Sequence, residues 1–145
     1  MRFSRTWYTK VMTDRAKQLL QQHTLRITDA RLAVLIFFLK QQYPIDAQQI
    51  EEYLAKKKIK TDTATVYRML TTFADEGLIK KVRVSDDKLH FELADRPHHH
   101  HAICTNCGKI EDIEKCLLNQ QIQLEKSFQV QDHAVEIYGL CASCH

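Results

Sequence analysis

The stretch TATVYRMLTTFADEGLIKKVRVSDDKLHFEL, residues 63–93, decides the fold of the first two thirds of this chain. From Thr63 to Glu76, residues Val66, Met69, Leu70 and Phe73 recur at i, i+3, i+4 and i+7, which lines them along one stripe of an α-helix and turns them to a core. Gly77 stands where such a helix stops in a left-handed cap. The other face carries Thr63, Thr65, Tyr67, Arg68 and Thr71 on its leading turns: hydroxyls, a phenol and a guanidinium that can hold phosphates or read base edges. Taken alone, this is an ordinary solvated face. The residues after Gly77 change that reading. Ile79 to Val84 alternates Val82 and Val84 with Lys81 and Arg83, Ser85-Asp86-Asp87-Lys88 offers a turn, and Leu89 to Leu93 returns as a second strand. A basic hairpin directly after a recognition helix is a wing.

The upstream residues supply the rest of a winged helix-turn-helix. A segment from about Asp14 to Gln22 offers Ala16, Leu19 and Leu20 to a core, and Thr28 caps a second helix with Leu32, Leu35, Ile36 and Leu39 inward. Pro44 ends that unit; Asp46 then caps a short helix holding Ile50, Tyr53 and Leu54. Lys56-Lys57-Lys58 closes it, with positive charge where the helix dipole favours it, and alone reads as a solvated helix end. Residues 1–12 read as an extra segment or disordered arm: the first eleven contain Arg2, Arg5 and Lys10 and no acid.

Downstream the vocabulary changes to metal. Cys104/Cys107 and Cys141/Cys144 are two Cys-x-x-Cys pairs, each able to bite one ion, and together they complete the tetrahedral all-protein shell of structural Zn2+. Gly108 lets the chain fold back after the first pair. Disulfides are the competing explanation. Residues 1–20 contain no apolar signal-peptide core, so a cytoplasmic chain with reduced thiols is expected. Cys116 is left over, either an inert thiol or a metal ligand or redox group. Four histidines, His98 to His101, precede the first pair; in an extended segment His99 and His101 point one way and His98 and His100 the other.

Charge divides at the same place. Residues 1–97 carry 18 Lys and Arg against 12 Asp and Glu, net +6, whereas residues 98–145 carry 3 against 6, net −3, and the halves give the +3 of the 145-residue chain. A basic first part suits a polyanion and an acidic, His- and Cys-rich second part suits cations. The longest apolar run, Leu32 to Leu39, is far too short to span a membrane, so none is expected as a partner.

The run Leu25-Arg26-Ile27-Thr28 with Arg31, the Thr65-Val66-Tyr67-Arg68 helix, Phe91-Glu92-Leu93, the His98 to Cys107 block and the ending His133 to Cys144 resemble the ferric uptake regulator superfamily over about residues 14–144. The resemblance implies a homodimeric, metal-dependent repressor that binds double-stranded DNA at A/T-rich inverted repeats. Its fold would be α+β: a winged-helix domain over residues 1–93, a hinge at 94–97 and a small α/β dimerisation domain over 98–145. It places Arg26 in the minor groove and Tyr67 and Arg68 in the major groove. It assigns structural Zn2+ to Cys104, Cys107, Cys141 and Cys144, and a sensing ion, Zn2+, Fe2+ or Mn2+ as corepressor, to Glu92, His99, His101 and Asp112. A further site would join His98, His100 and His133 to a carboxylate whose place falls near Cys116, with Glu114 the nearby acid.

One departure from the pattern bears on the metal. Many iron-sensing relatives carry a histidine where this chain has Tyr43-Pro44; losing a ligand suits four-coordinate zinc better than six-coordinate ferrous iron. Control of zinc or iron homeostasis genes is the leading expectation, and peroxide sensing through metal-catalysed oxidation of His99 or His101 is the alternative within the superfamily. A zinc hydrolase or nuclease is a rival of another class, but no general base or nucleophile constellation is evident, so the chain is expected not to be an enzyme. A metal-storage module would have no use for Tyr67, Arg68 and the wing.

Overall fold

The computed structural model describes residues 5–83, 88–116, 127–131 and 133–145. The chain forms two compact units, Met1–Asp95 and Arg96–His145.

In the first unit four helices precede a hairpin: α1 (Arg5–Gln22), α2 (Asp29–Lys40), β1 (Ile45–Asp46), α3 (Ala47–Lys56), α4 (Thr63–Asp75), β2 (Ile79–Arg83) and β3 (Leu89–Leu93). Local chemistry sets the boundaries. Thr28 Oγ1 accepts from the Arg31 amide at 3.3 Å and starts α2. Asp46 starts α3 with a reciprocal capping box: its carboxylate accepts from the Gln49 amide at 2.8 Å while the Gln49 side chain accepts from the Asp46 amide at 2.9 Å. Asp62 starts α4 by accepting from the Thr65 amide at 2.6 Å, and Gly77, at φ +71°, turns the chain out of that helix.

The α4 stripe is buried as its spacing requires, Val66, Met69, Leu70 and Phe73 packing with Leu20, Val34, Leu35, Ile50, Leu54, Ile79 and Phe91. The inward face of α2 differs from expectation. Leu35 is buried, but with Ala33, Val34 and Phe38, while Leu32, Ile36 and Leu39 are only partly buried. Seven of the eight residues from Leu32 to Leu39 are large and apolar, so periodicity in that run has no polar side to orient it. Helix α1 begins at Arg5 rather than near Asp14, which makes residues 5–12 helical instead of an arm. Residues 5–22 contain neither proline nor glycine, so nothing local stops the helix from extending back.

Strands β2 and β3 form the expected antiparallel hairpin, Ile79 opposite Leu93 and Arg83 opposite Leu89. The turn at Ser85-Asp86-Asp87 and Val84 lie outside the described residues. A third strand is added that no sequence pattern announces: two-residue β1 pairs with β3, Ile45 opposite Phe91, giving the order β1-β3-β2.

The second unit is built on β4 (His100–Cys104), with β5 (Ile110–Ile113) antiparallel on one side and β6 (Glu136–Gly139) parallel on the other. Ile103 and Ile110 are buried. Residues 117–126, between Cys116 and His133, lie outside the described residues. No helix among the described residues is long and apolar enough to cross a membrane.

Phe73 is fully buried at the centre of the first unit, so Phe73→Ala removes its packing and leaves a cavity. Urea unfolding followed by circular dichroism should show a loss of about 3–5 kcal/mol for the helical unit.

Candidate metal centres and nucleic-acid face

The register of β4 explains where the metal-binding side chains meet. Cys104 ends β4 opposite Gly139 of β6, so Cys141, two residues on, and Cys107, in the turn toward β5, arrive at the same end of the sheet. The four sulfurs of Cys104, Cys107, Cys141 and Cys144 lie within 4.8 Å of one another, with Cys107 Sγ 3.7 Å from Cys141 Sγ. Disulfide sulfurs would be about 2.05 Å apart, whereas four sulfurs bound tetrahedrally at about 2.3 Å from one ion stand about 3.8 Å apart. All five cysteines are free thiols. The donor set therefore fits a thiophilic tetrahedral ion.

The backbone has prepared this cluster for negative charge. Amides of Cys107 and Cys141 direct hydrogen bonds at Cys104 Sγ, the Cys141 donor at 3.3 Å, and lower the Cys104 thiol to about 6. Cys107 experiences the opposite balance. The Lys109 amide pulls it down, but the sulfurs of Cys104, Cys141 and Cys144 outweigh that and hold its proton up to about 11. Four crowded thiols cannot all ionise without a cation, and a bound ion replaces the protons they retain.

At the opposite end of β4 the histidines split by alternation. His99 and His101 share one side, ring centroids 4.9 Å apart. His101 is paired across the sheet with Asp112, and its Nε2 is 3.8 Å from Asp112 Oδ1. The other carboxylate oxygen, Oδ2, accepts from the Arg96 guanidinium, a partner that sequence reasoning misses because nothing in the spacing of Arg96 and Asp112 announces it. Glu92, the remaining expected sensing ligand, belongs to the first unit. Its carboxylate is 2% exposed on β3 and faces Lys80, its cross-strand neighbour, at 3.1 Å.

His98 and His100 form the second set. Their Nε2 atoms are 3.2 Å apart, Cys116 Sγ is 3.1 Å from His133 Nε2, and all four donor atoms fall within 4.8 Å of one another. His100 is buried, and burial first, then the neighbouring imidazoles of His98 and His133, lowers its pKa and keeps the ring neutral. Cys116, not Glu114, is the fourth member; Glu114 is exposed.

On the first unit, Tyr67 is 51% exposed and Arg68 is exposed beside it on α4. Arg68 Nη2 donates to Thr65 Oγ1 at 3.1 Å, and the Thr65 hydroxyl and amide in turn hold the Asp62 carboxyl below its ordinary range. The guanidinium is thus laid along the leading turn. Arg26 is exposed just before the α2 cap, where its carbonyl accepts from Arg31 Nη1 at 3.0 Å, and Lys81 is exposed on β2. The Arg83 side chain lies outside the described residues.

A winged helix-turn-helix that shares its chain with a four-thiol cluster and a histidine-lined strand defines a metal-responsive DNA-binding regulator. The chain belongs to the ferric uptake regulator family, whose sequence model matches residues 22–138. It is 36% identical over 123 residues to the ferric uptake regulation protein of Cupriavidus metallidurans, covering 81% of this chain and 85% of that one. With the peroxide operon regulator of Bacillus subtilis the identity is 35% over 132 residues, 89% of this chain and 90% of the relative. The crystal structure of the Vibrio cholerae ferric uptake regulator superposes with a TM-score of 0.75 at 29% identity, covering 86% of this chain and 98% of that chain. The protein is a metal-responsive transcriptional regulator of this superfamily, whose members bind DNA and are dimeric.

The thiol balance sets a pH dependence for the four-cysteine cluster. Its bound ion should be retained at neutral pH and released only in acid, below the value of about 6 at which the Cys104 thiol of the ion-free cluster is held. Protons must displace the ion from thiolates whose own protons, that of Cys107 included, pass to solvent on binding. A chromophoric chelator monitored while the pH of the loaded protein is lowered reads the release.

Proposed function

We propose that the protein is a homodimeric repressor whose grip on an A/T-rich inverted repeat is set by one divalent ion held by Glu92, His99, His101 and Asp112, while Zn2+ at Cys104, Cys107, Cys141 and Cys144 holds the second unit together. The observation that carries the reading is the cross-strand pairing of His101 with Asp112, which presents a carboxylate oxygen and an imidazole from one side of the sheet. Glu92 supports it from the first unit: a carboxylate buried this deeply on a strand gains from a nearby cation.

The bound ion would supply electrostatic cross-linking of ligands contributed by two units. Each residue has a distinct task. His99 and His101 offer neutral imidazole nitrogens, Asp112 offers Oδ1 while Arg96 retains Oδ2, and Glu92 ties in the strand that comes after the wing turn. Fixing the two units in one arrangement lets paired α4 helices of a dimer address successive half-sites. Reversing such an equilibrium from 1:99 to 99:1 needs about 5.5 kcal/mol of differential binding, well within what coordination contributes. Pro44, in place of a histidine, leaves few imidazole donors in the first unit; its described histidines, His23 and His90, bond the carbonyls of Glu76 at 2.7 Å and Lys88 at 3.3 Å. A four-ligand set favours Zn2+ over Fe2+ or Mn2+ as corepressor. The resulting role is control of zinc homeostasis genes in the cytoplasm, without enzymatic turnover.

Peroxide response is the second reading, favoured by the 35% identity to the Bacillus subtilis peroxide operon regulator. In it His99 or His101 is the group oxidised, and iron is the ion required.

Protein retaining only its four-cysteine ion is titrated with Zn2+, Fe2+ and Mn2+ while binding to an A/T-rich palindrome is followed. Zinc should give the largest gain, and identical affinity with and without added metal would overturn the switch. His99→Ala with His101→Ala should abolish the response and leave the dimer intact by sedimentation, whereas Cys104→Ser should unfold the second unit. Arg68→Ala should weaken specific binding by about 1–3 kcal/mol if the guanidinium reads a base edge. Lys81→Ala should instead lower affinity evenly across sequences and reduce the slope of log affinity against log salt by about 0.9 if its ammonium meets a phosphate.

A further inference from the structure

The cluster at His98, His100, Cys116 and His133 arises from strand order, and its fourth member departs from the carboxylate expected there. Strand β5 runs antiparallel to β4 with His100 opposite Ile113, so continuing past Ile113 brings Cys116 back alongside the residues that precede β4. Strand β6 runs parallel to β4 with His101 opposite Glu136, so the residues just before β6, His133 among them, lie level with His98. Three imidazoles and one thiol are thereby gathered from three chain segments at one end of a sheet.

Their geometry points to a shared cation. His98 and His100 Nε2 are 3.2 Å apart and Cys116 Sγ to His133 Nε2 is 3.1 Å, against the roughly 3.3–3.6 Å that separates nitrogen and sulfur ligands at zinc-type bond lengths in a tetrahedron. The ring centroids of His98, His100 and His133 lie 4.5 to 5.2 Å apart. Such packing is unfavourable for three charged imidazoliums and acceptable for three neutral ligands around one ion. His100 is 1% exposed.

We propose that Cys116, standing where a carboxylate is expected, is the selectivity-determining ligand of the further centre it forms with His98, His100 and His133, so that this centre takes a thiophilic four-coordinate divalent ion, Zn2+ or its analogue Co2+, in preference to Mn2+ or Mg2+. On binding, the Sγ–metal bond forms and the Cys116 thiol proton passes to solvent. A carboxylate in that position would make the centre hospitable to hard, six-coordinate ions; a thiolate makes it select soft or borderline ones. The inference extends the metal-responsive role proposed for the protein but does not depend on which ion acts at Glu92, His99, His101 and Asp112.

The test uses full-length protein carrying zinc in its four-cysteine cluster, to which Co2+ is added. The expected result is a near-ultraviolet sulfur-to-cobalt charge-transfer band with the strong visible absorption of four-coordinate Co2+. The band should vanish in Cys116→Ser and in His133→Ala, while Cys116→Asp should lose the band yet gain Mn2+ binding measured by electron paramagnetic resonance. A band that persists in Cys116→Ser arises by exchange into the four-cysteine cluster and overturns the proposal, as does failure of the wild type to show one. Metal-dependent duplex binding is measured on the same samples. Duplex binding that responds to metal without any charge-transfer band rejects the Cys116 centre and leaves the switch standing; a Cys116-dependent band with metal-independent duplex binding does the reverse.

Discussion

The pairing of β4 with β5 and β6 is the constraint on which the metal chemistry of the second unit depends. A strand presents alternate residues to opposite faces, so one extended run from His98 to Cys104 serves two groups of histidine neighbours and still ends in a thiol. The antiparallel partner supplies Asp112 opposite His101 and carries the chain on to Cys116; the parallel partner is preceded by His133 and followed by Cys141. Slipping either partner by one residue would turn the donors that partner positions to the wrong face relative to those of β4. Ligand geometry here is a consequence of hydrogen-bond register before it is a property of side chains.

The first unit is organised by burial instead. Its helices surround Phe73, Leu70, Ile50 and Leu20, and the packing of α4 against that core leaves Tyr67 and Arg68 outward on the same helix. Capping by Asp62 fixes where α4 starts and hence which residues occupy its leading turn, and Thr65 links that cap to the Arg68 guanidinium. The short β1 strand joins the loop before α3 to the wing through β3, so the hairpin bearing Lys81 is anchored to the helical layer by backbone hydrogen bonds as well as by Phe91.

Much of this is legible in the residues. The α4 stripe, the hairpin and the two Cys-x-x-Cys pairs obey short-range rules of period, turn chemistry and ligand spacing, and strand alternation divides the four histidines into two sets. Other features are not. The buried face of α2 cannot be chosen because its run is apolar all round. The start of α1 carries no stop signal on its amino-terminal side. The Arg96–Asp112 pair and the two-residue β1 strand have no local pattern, since each depends on a partner distant in sequence. Glu114 and Cys116 compete for one position, and two residues of difference in where the chain leaves β5 decide between them.

By itself the sequence determined the kinds of chemistry present, a basic reading head and an acidic thiol- and imidazole-rich partner, because composition, period and Cys spacing are local properties. The tertiary structure alone decided which donors come together: that Cys116 joins His98, His100 and His133, and that Arg96 takes one oxygen of Asp112. Those choices are made by strand register and chain reversal, which bring together residues that no sequence interval relates.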